Sequence, residues 1–357
     1  MINLHHGSRP IRLLAVFLAA WFLAAACGDG GAETSEPSAS SDSASASAGT
    51  TVQDAADATS SAPAETPPSE GDTPVFPVDV EHALGVTTIE AEPERIVVLS
   101  DQIDLASLLA LDVQPIAAGQ TLPEAQPWIA ERLGPDVEVF ESILISPEFI
   151  AALEPDLIIG GEFTLGQTPE IWTGIAPWVA VPQFGWEDAL RIVGDATGQA
   201  AKADEVRQAT MARIDAFDDD IAASAPSMSI VFAAPDGSVS VMNAENPLSD
   251  LLVGMGLPPL PDPLDGFASA GPGGDIVPAE QISLIETDAI IVADPAGQGA
   301  LETLESNSLW ATLPAVQDGR VTVITGVDVF LTFIDSALTI PLQVELFERL
   351  VVEFNER

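Results

Sequence analysis

The sequence has a single cysteine and no tyrosine, and its 357 residues include only three histidines and 11 Lys plus Arg. One cysteine allows no intramolecular disulfide and rules out a zinc site built on thiolates. His5 and His6 lie in the N-terminal leader, so the rest of the chain offers only His82. The clustered histidines of a zinc or manganese receptor cannot be assembled from that, and free heme would find no Tyr and no His but His82 as its axial ligand. Set against 55 Asp plus Glu, the shortage of cations leaves a formal charge of −44. A nucleic-acid binder needs Lys and Arg to neutralise phosphates, and a polybasic membrane-surface module needs them to meet anionic lipid, so both classes are excluded. Also missing are a G-x-S-x-G nucleophile elbow, a P-loop and a G-x-G-x-x-G turn after a strand. Abundant acids are no evidence of a glycosidase pair.

Long apolar runs are scarce as well. One extends from Leu13 to Ala26 behind Arg9 and Arg12, shorter than the roughly 20 residues that a membrane-spanning helix needs. Basic flank, short apolar core and small residues describe an export signal. Leu23-Ala24-Ala25-Ala26-Cys27-Gly28 resembles the lipobox of bacterial lipoproteins, with the leucine one position further out than usual. The expectation is a lipoprotein signal peptide at 1–26 and acylation of Cys27, palmitate included, as a membrane anchor on the outer face of the cell membrane. Residues 28–74 are Ser, Ala, Thr, Gly, Pro, Asp and Glu apart from Val52 and Gln53. Such a segment buries too little apolar surface to offset its ordering entropy, so 27–74 reads as an acidic, disordered tether. From Val75 onward the chain holds 46 acids and 9 bases, Lys202 being its one lysine; this bias suits a salt-adapted protein, where ions screen self-repulsion.

After the tether, strand and helix signals alternate. Ile96–Ser100, Val113–Ala117 and Pro155–Gly160 read as strands, and Asp104–Leu111 and Pro147–Leu153 as helices. That order predicts a mostly parallel sheet. A second set follows: strand Ser229–Phe232, helix Pro247–Met255, then Pro278–Val292. At an offset of 132, Glu148 matches Glu280, Ile150 matches Ile282, Glu154 matches Glu286, Asp156 matches Asp288 and Ile158-Ile159 matches Ile290-Ile291. The first strands, Ile96 and Ile230, are offset by 134. Two tandem α/β lobes, 75–185 and 223–357, are the economical reading. Between them 186–222 is amphipathic and free of proline, which predicts one long connecting helix with a break at Gly194 or Gly198.

Several short segments resemble, in order, the class III solute-binding proteins of bacterial ABC importers for iron–siderophore and cobalamin. They are His82–Ile89, Pro93–Leu99, Leu108–Pro115, Leu153–Ile158, Ile175-Ala176-Pro177, Ser308-Leu309-Trp310, Leu313–Val316 and Gly319-Arg320-Val321. The resemblance implies two Rossmann-like lobes joined by a single long helix, with a ligand cleft between them. It implies a non-enzymatic monomer that captures a ferric siderophore, the Fe(III) held by its own chelator with no cofactor bound directly. It also implies partners in an ABC permease and ATPase, with Glu148 and Glu280 docking on the permease. Cobalamin or another large chelate is the alternative cargo, and a lipid-anchored hydrolase the alternative class.

In such folds ligands sit at the carboxyl ends of the strands. The loops so placed are Ser100-Asp101-Gln102, Gln120-Thr121, Glu162-Phe163-Thr164, Phe184-Gly185-Trp186, Pro235-Asp236, Asn243, Asp294-Pro295 and Asp328-Val329-Phe330. Trp186, Phe163 and Phe330 are candidates to stack on a bulky chelate, with Gln102 and Asn243 as polar contacts. No arginine cluster falls in these loops. Relatives commonly use Tyr and Arg there, so the departure points to a neutral or cationic chelate such as a hydroxamate.

Overall fold

The computed structural model describes residues 76–357 other than 122–125, 143–144, 272, 296 and 298. The expected signal peptide, the tether and Cys27 lie outside the described residues. Among the described residues no helix is long and apolar enough to cross a membrane.

The first lobe opens with an antiparallel hairpin, β1 (Val78–His82) and β2 (Gly85–Ile89). Five strands follow: β3 (Ile96–Val98), β4 (Ala117–Gln120), β5 (Glu138–Glu141), β6 (Leu157–Gly161) and β7 (Trp178–Val181). They form a sheet in the order β5-β4-β3-β6-β7, parallel throughout. β3 lies at the centre and all three of its residues are buried, as an unbroken Ile-Val-Val run requires. The second strand begins where the sequence reading ends it: 113–116 is loop, because Gln114 turns out to bond Gly134 and Arg132 and Pro115 offers no N–H to a ladder. The order reverses beside β3, which leaves a crevice at the carboxyl ends of β3 and its neighbours.

The second lobe holds β8 (Met228–Ala233), β9 (Val239–Met242), β10 (Ala268–Ser269), β11 (Gly274–Val277), β12 (Ala289–Asp294) and β13 (Val321–Thr325), in the order β10-β11-β9-β8-β12-β13. β8, β12 and β13 are parallel, while β9, β10 and β11 pair antiparallel. The lobes share a parallel centre, and the second trades part of its edge for hairpins. Register sharpens the repeat. Ile96 pairs with Leu157, and Met228 with Ala289, so first and later strands both align at an offset of 132. The repeated aspartates do the same work in each lobe. Asp156 accepts the backbone N–H groups of Glu94 (2.8 Å) and Arg95 (2.9 Å), just before β3. Asp288 accepts the Ser227 hydroxyl (2.7 Å), just before β8.

The connection is helical but not continuous. It comprises Trp186–Ala196, Ala200–Asp215 and Asp219–Ser224. The first break falls at 197–199, where Gly198 takes φ +68°, a left-handed conformation that ends helices. At this elbow Gln199 donates its N–H to the Gly194 carbonyl at 2.7 Å. A Cβ on Gly194 would lie 2.6 Å from that of Ala203, so the two helices meet almost backbone to backbone. Asp218 caps the third helix by accepting from Asp220 and Ile221. One apolar cluster runs from Ile96 and Val98 through Leu190 and Val193 to Ile230, Leu252 and the fully buried Phe347 and Phe354 of the C-terminal helix Ile340–Glu356. It ties both lobes to the connection.

Candidate functional site

A cleft lies between the lobes. From the first lobe it is lined by Asp101 and Gln102 after β3, Thr121 and Gln126 after β4, and Gln183 and Phe184 after β7. From the second come Ser240 and Met242 of β9, Asn246 and Pro247 at the start of the helix Pro247–Gly254, and Ala270, Gly271, Gly273 and Gly274 of the β10–β11 hairpin. Phe330 and the stretch Thr332–Asp335 close it. Its cavity volume is about 210 Å3, and it opens to solvent between the lobes.

Local chemistry holds this wall in shape. Asp101, 2% exposed, accepts the Thr121 backbone N–H at 2.7 Å and so ties the loop after β3 to the loop after β4. Glu162 accepts the Gln183 N–H at 2.9 Å, fixing the turn that carries Phe184. Asn246 caps its helix by accepting from Leu248, with Pro247 in the first turn. Gly273 sits at φ +70° against Asn246, and the Gly273 carbonyl accepts the Asn243 N–H at 2.9 Å. Gln343 reaches up from the C-terminal helix and donates to Leu331 O (2.8 Å) and Asp335 Oδ1 (2.6 Å). Phe333 stacks obliquely on Phe232, centroids 5.0 Å apart.

Of the residues singled out in the sequence, Gln102 and Phe330 line the cleft. Trp186, Phe163 and Asn243 are not part of that lining. Trp186 begins the connecting helix and packs against the main apolar cluster, while Phe184, two residues earlier, faces the cleft. Phe163 is 72% exposed on the short helix Glu162–Gly166. Asn243 is buried at the end of β9, donates to Asp275 Oδ2 (3.0 Å) and borders a smaller cavity. Of the other loops, Asp236 accepts from Ser238 in an exposed turn, and Asp294 accepts the N–H groups of Gly299 and Ala300. Sequence reasoning missed Gln126, Gln183, Asn246, the glycine hairpin and Asp335. The Asn246-Pro247 helix start and the glycines at 271, 273 and 274 were legible turn signals; Gln126 and Asp335 carried none.

Glu148 and Glu280 are both exposed, each in the first turn of a short helix preceding the equivalent parallel strand, β6 or β12. Glu148 has its carboxylate held below the ordinary range by its own backbone N–H and the Ser146 hydroxyl.

His82 is 8% exposed and stacks on Trp178, 5.2 Å between centroids. Its Nδ1 accepts the Leu84 N–H (3.2 Å) and its Nε2 lies 3.0 Å from Thr87 Oγ1. The Thr87 hydroxyl donates to Trp178 O, so Nε2 is the protonated nitrogen of a neutral ring. Burial lowers its pKa further. Both nitrogens are occupied in holding the hairpin. Among the described residues no group of three or more His, Cys, Asp or Glu is arranged to hold a metal ion.

The family model described as periplasmic binding protein matches residues 96–327, from β3 through β13. The chain belongs to that family. Proteins of known structure share its fold. One is a periplasmic solute binding protein from Mycobacterium smegmatis, at 24% identity and TM-score 0.65 over 77% of this chain and 98% of that one. PiaA from Streptococcus pneumoniae, solved with ferrichrome, gives 22% and 0.62 over 78% and 98%. SirA from Staphylococcus aureus, solved with staphyloferrin B, gives 19% and 0.57 over 78% and 97%. No curated protein matches the chain. The two-lobed α/β architecture expected from the sequence is therefore the family's own.

Proposed function

We propose that this periplasmic binding protein is the extracytoplasmic receptor of an ABC importer and that its cargo is a ferric siderophore. The observation that carries the reading is the interlobe cleft, with Phe184, Phe330 and Phe333 among amide and hydroxyl side chains and two carboxylates, Asp101 and Asp335, in a fold shared with PiaA and SirA. Iron travels inside its chelator, so the receptor needs no His or Tyr of its own as metal ligand. The aromatic rings offer apolar area at low entropy cost and the glutamines fix orientation. Cys27 would anchor the receptor through its acyl chains, and the acidic tether would let it range over the membrane surface.

Titration of the full chain by intrinsic tryptophan fluorescence, with ferric hydroxamates, ferric catecholates, ferric citrate and cobalamin, tests the cargo. One iron chelate should give a saturable change, weakened at least ~10-fold by Phe184→Ala or Phe330→Ala, since each removes a large contact from the cleft wall. No saturable response to any ferric chelate sinks the siderophore reading, and saturation by cobalamin alone replaces it.

Glu148 and Glu280 are the proposed contacts with the permease. The double substitution Glu148→Ala/Glu280→Ala should leave the chelate affinity intact and reduce uptake by cells several-fold. Unchanged uptake would remove the docking role and leave Glu148 as a helix-capping acid.

A further inference from the structure

The cleft has an electrostatic character that the siderophore reading alone does not require. Its described lining includes two carboxylates, Asp101 from the first lobe and Asp335 from the second, and no Lys, Arg or His. Cations outside the lining are engaged with other acids. Arg349 is paired with Asp328 at 2.6 Å, Arg213 with Glu348, Arg207 with Glu187 and Lys202 with Asp112. A buried-side acceptor adds to the pattern. Gln126 is 4% exposed, lines the cleft, and its Oε1 has no hydrogen-bond partner among the described residues. A buried acceptor without a donor is costly unless something supplies one. Asp335 accepts from Gln343, yet burial, with the charge of Asp250 behind it, pushes its pKa up. That is the condition of a carboxylate lacking a cation.

We infer that the cleft is built for a chelate carrying a fixed positive charge: a ferric trihydroxamate with a free primary ammonium, received by Asp335 and Asp101 and donating an N–H to Gln126. This rests on the siderophore reading and specifies its chemistry. Three singly charged hydroxamates neutralise Fe(III), so a terminal ammonium leaves the complex at +1. A ferric tris-catecholate or a ferric carboxylate chelate is anionic and would meet these carboxylates with repulsion. The rings of Phe330 and Phe333 can also face a cation favourably.

The test uses a matched pair: a linear ferric trihydroxamate with its terminal amine free, and the same chelate N-acetylated. Both are titrated into the full chain by calorimetry at moderate ionic strength. The free-amine form should bind at least ~10-fold tighter. That ratio should fall close to one in Asp335→Asn, fall partway in Asp101→Asn, and persist in Asp204→Asn, which alters an acid on the connecting helix outside the cleft. Far-UV circular dichroism checks that each variant is folded; if Asp335→Asn is not, Gln343→Leu, which releases the Asp335 carboxylate without deleting it, takes its place and should change the ratio. Equal affinity for the two forms overturns the inference and leaves the siderophore reading standing. Tighter binding of a catecholate or ferric citrate overturns it as well. Failure of every ferric chelate removes both, which tells the two failures apart.

Discussion

Asp104→Asn should raise the thermal stability of this protein at pH 8 and flatten its fall between about pH 4 and 7. Asp104 lies in the first turn of the helix Ile103–Ala110, beneath the loop that carries Asp101, and is completely buried. It accepts from the Ser100 hydroxyl (2.8 Å) and the Leu105 N–H (2.9 Å). Burial raises its pKa to about 7, the charge of Asp101 pushes the same way, and those hydrogen bonds oppose the rise. The native state thus keeps a proton that the unfolded chain releases near 3.8. The contribution to stability is complete below that lower value and is lost as pH rises through about 7. At about 1.4 kcal/mol per pH unit the loss is on the order of 4 kcal/mol. Asp335, also raised by burial, adds in the same direction. His82 opposes both: its pKa is lowered by burial, so its contribution grows as pH rises toward 6.5. The lowered carboxylates Glu148, Asp236 and Glu353 matter only in acid. Melting temperatures of wild type and variant across pH 4–9 decide it. A variant that keeps the wild-type slope between about pH 4 and 7 would refute the assignment of that slope to Asp104.

Gly273→Ala should be far more damaging than Gly271→Ala, although both glycines have positive φ. At Gly271 (φ +114°) a Cβ meets nothing within 4 Å, so the cost is backbone strain, roughly 1–2 kcal/mol. At Gly273 a Cβ would stand 2.3 Å from the backbone N and Cα of Asn246. Backbone cannot rotate away as a side chain can. Either the hairpin lifts or the helix cap at Asn246 breaks, and both line the cleft. The expected cost is about 4 kcal/mol or more, in the range reserved for named steric failures, with chelate affinity falling alongside stability. Urea melts of the two alanine variants should differ by several kcal/mol. Equal, mild effects would mean that the hairpin rides freely on the helix.

Much of this architecture is legible in the amino-acid sequence. β-branched runs such as Ile96-Val97-Val98 and Ile290-Ile291-Val292 mark strands buried on both faces, and the pairs Ile150/Ile282 and Asp156/Asp288 announce a duplicated unit. The paired aspartates were visible as identities, but their task, tying each lobe's entry strand, appears only when Glu94 and Ser227 are brought beside them. The connection was partly legible: the break at Gly198 was expected from its glycine, and the second, between Asp215 and Asp219, was not. Apolar spacing continues through 186–222, and what interrupts it is the conformation of Gly198 together with the approach of Gly194 to Ala203. The site was least legible. An aromatic at a strand end does not say which way its ring turns: Phe184 faces the cleft, and Trp186, half-buried, packs against the apolar core. Gln126 and Asp335 are polar residues in loops, where sequence pattern carries no burial signal, and only the meeting of two lobes gives them a common purpose.

The elbow at Gly194–Ala203 has a kinetic meaning. Two helices in near-backbone contact, clasped by the 2.7 Å bond from Gln199 to Gly194, resist a wide swing, because any rotation there drives one main chain into another. On the proposed receptor role, such an elbow would let the protein take its cargo with little closure, and empty and loaded molecules would present nearly the same outline. A translocator that reads shape would be occupied by both, and the empty form would act as a competitor. Throughput would then depend on the proportion of receptors that are loaded as well as on their number, and overproduction where the proposed chelate is scarce would slow delivery instead of speeding it.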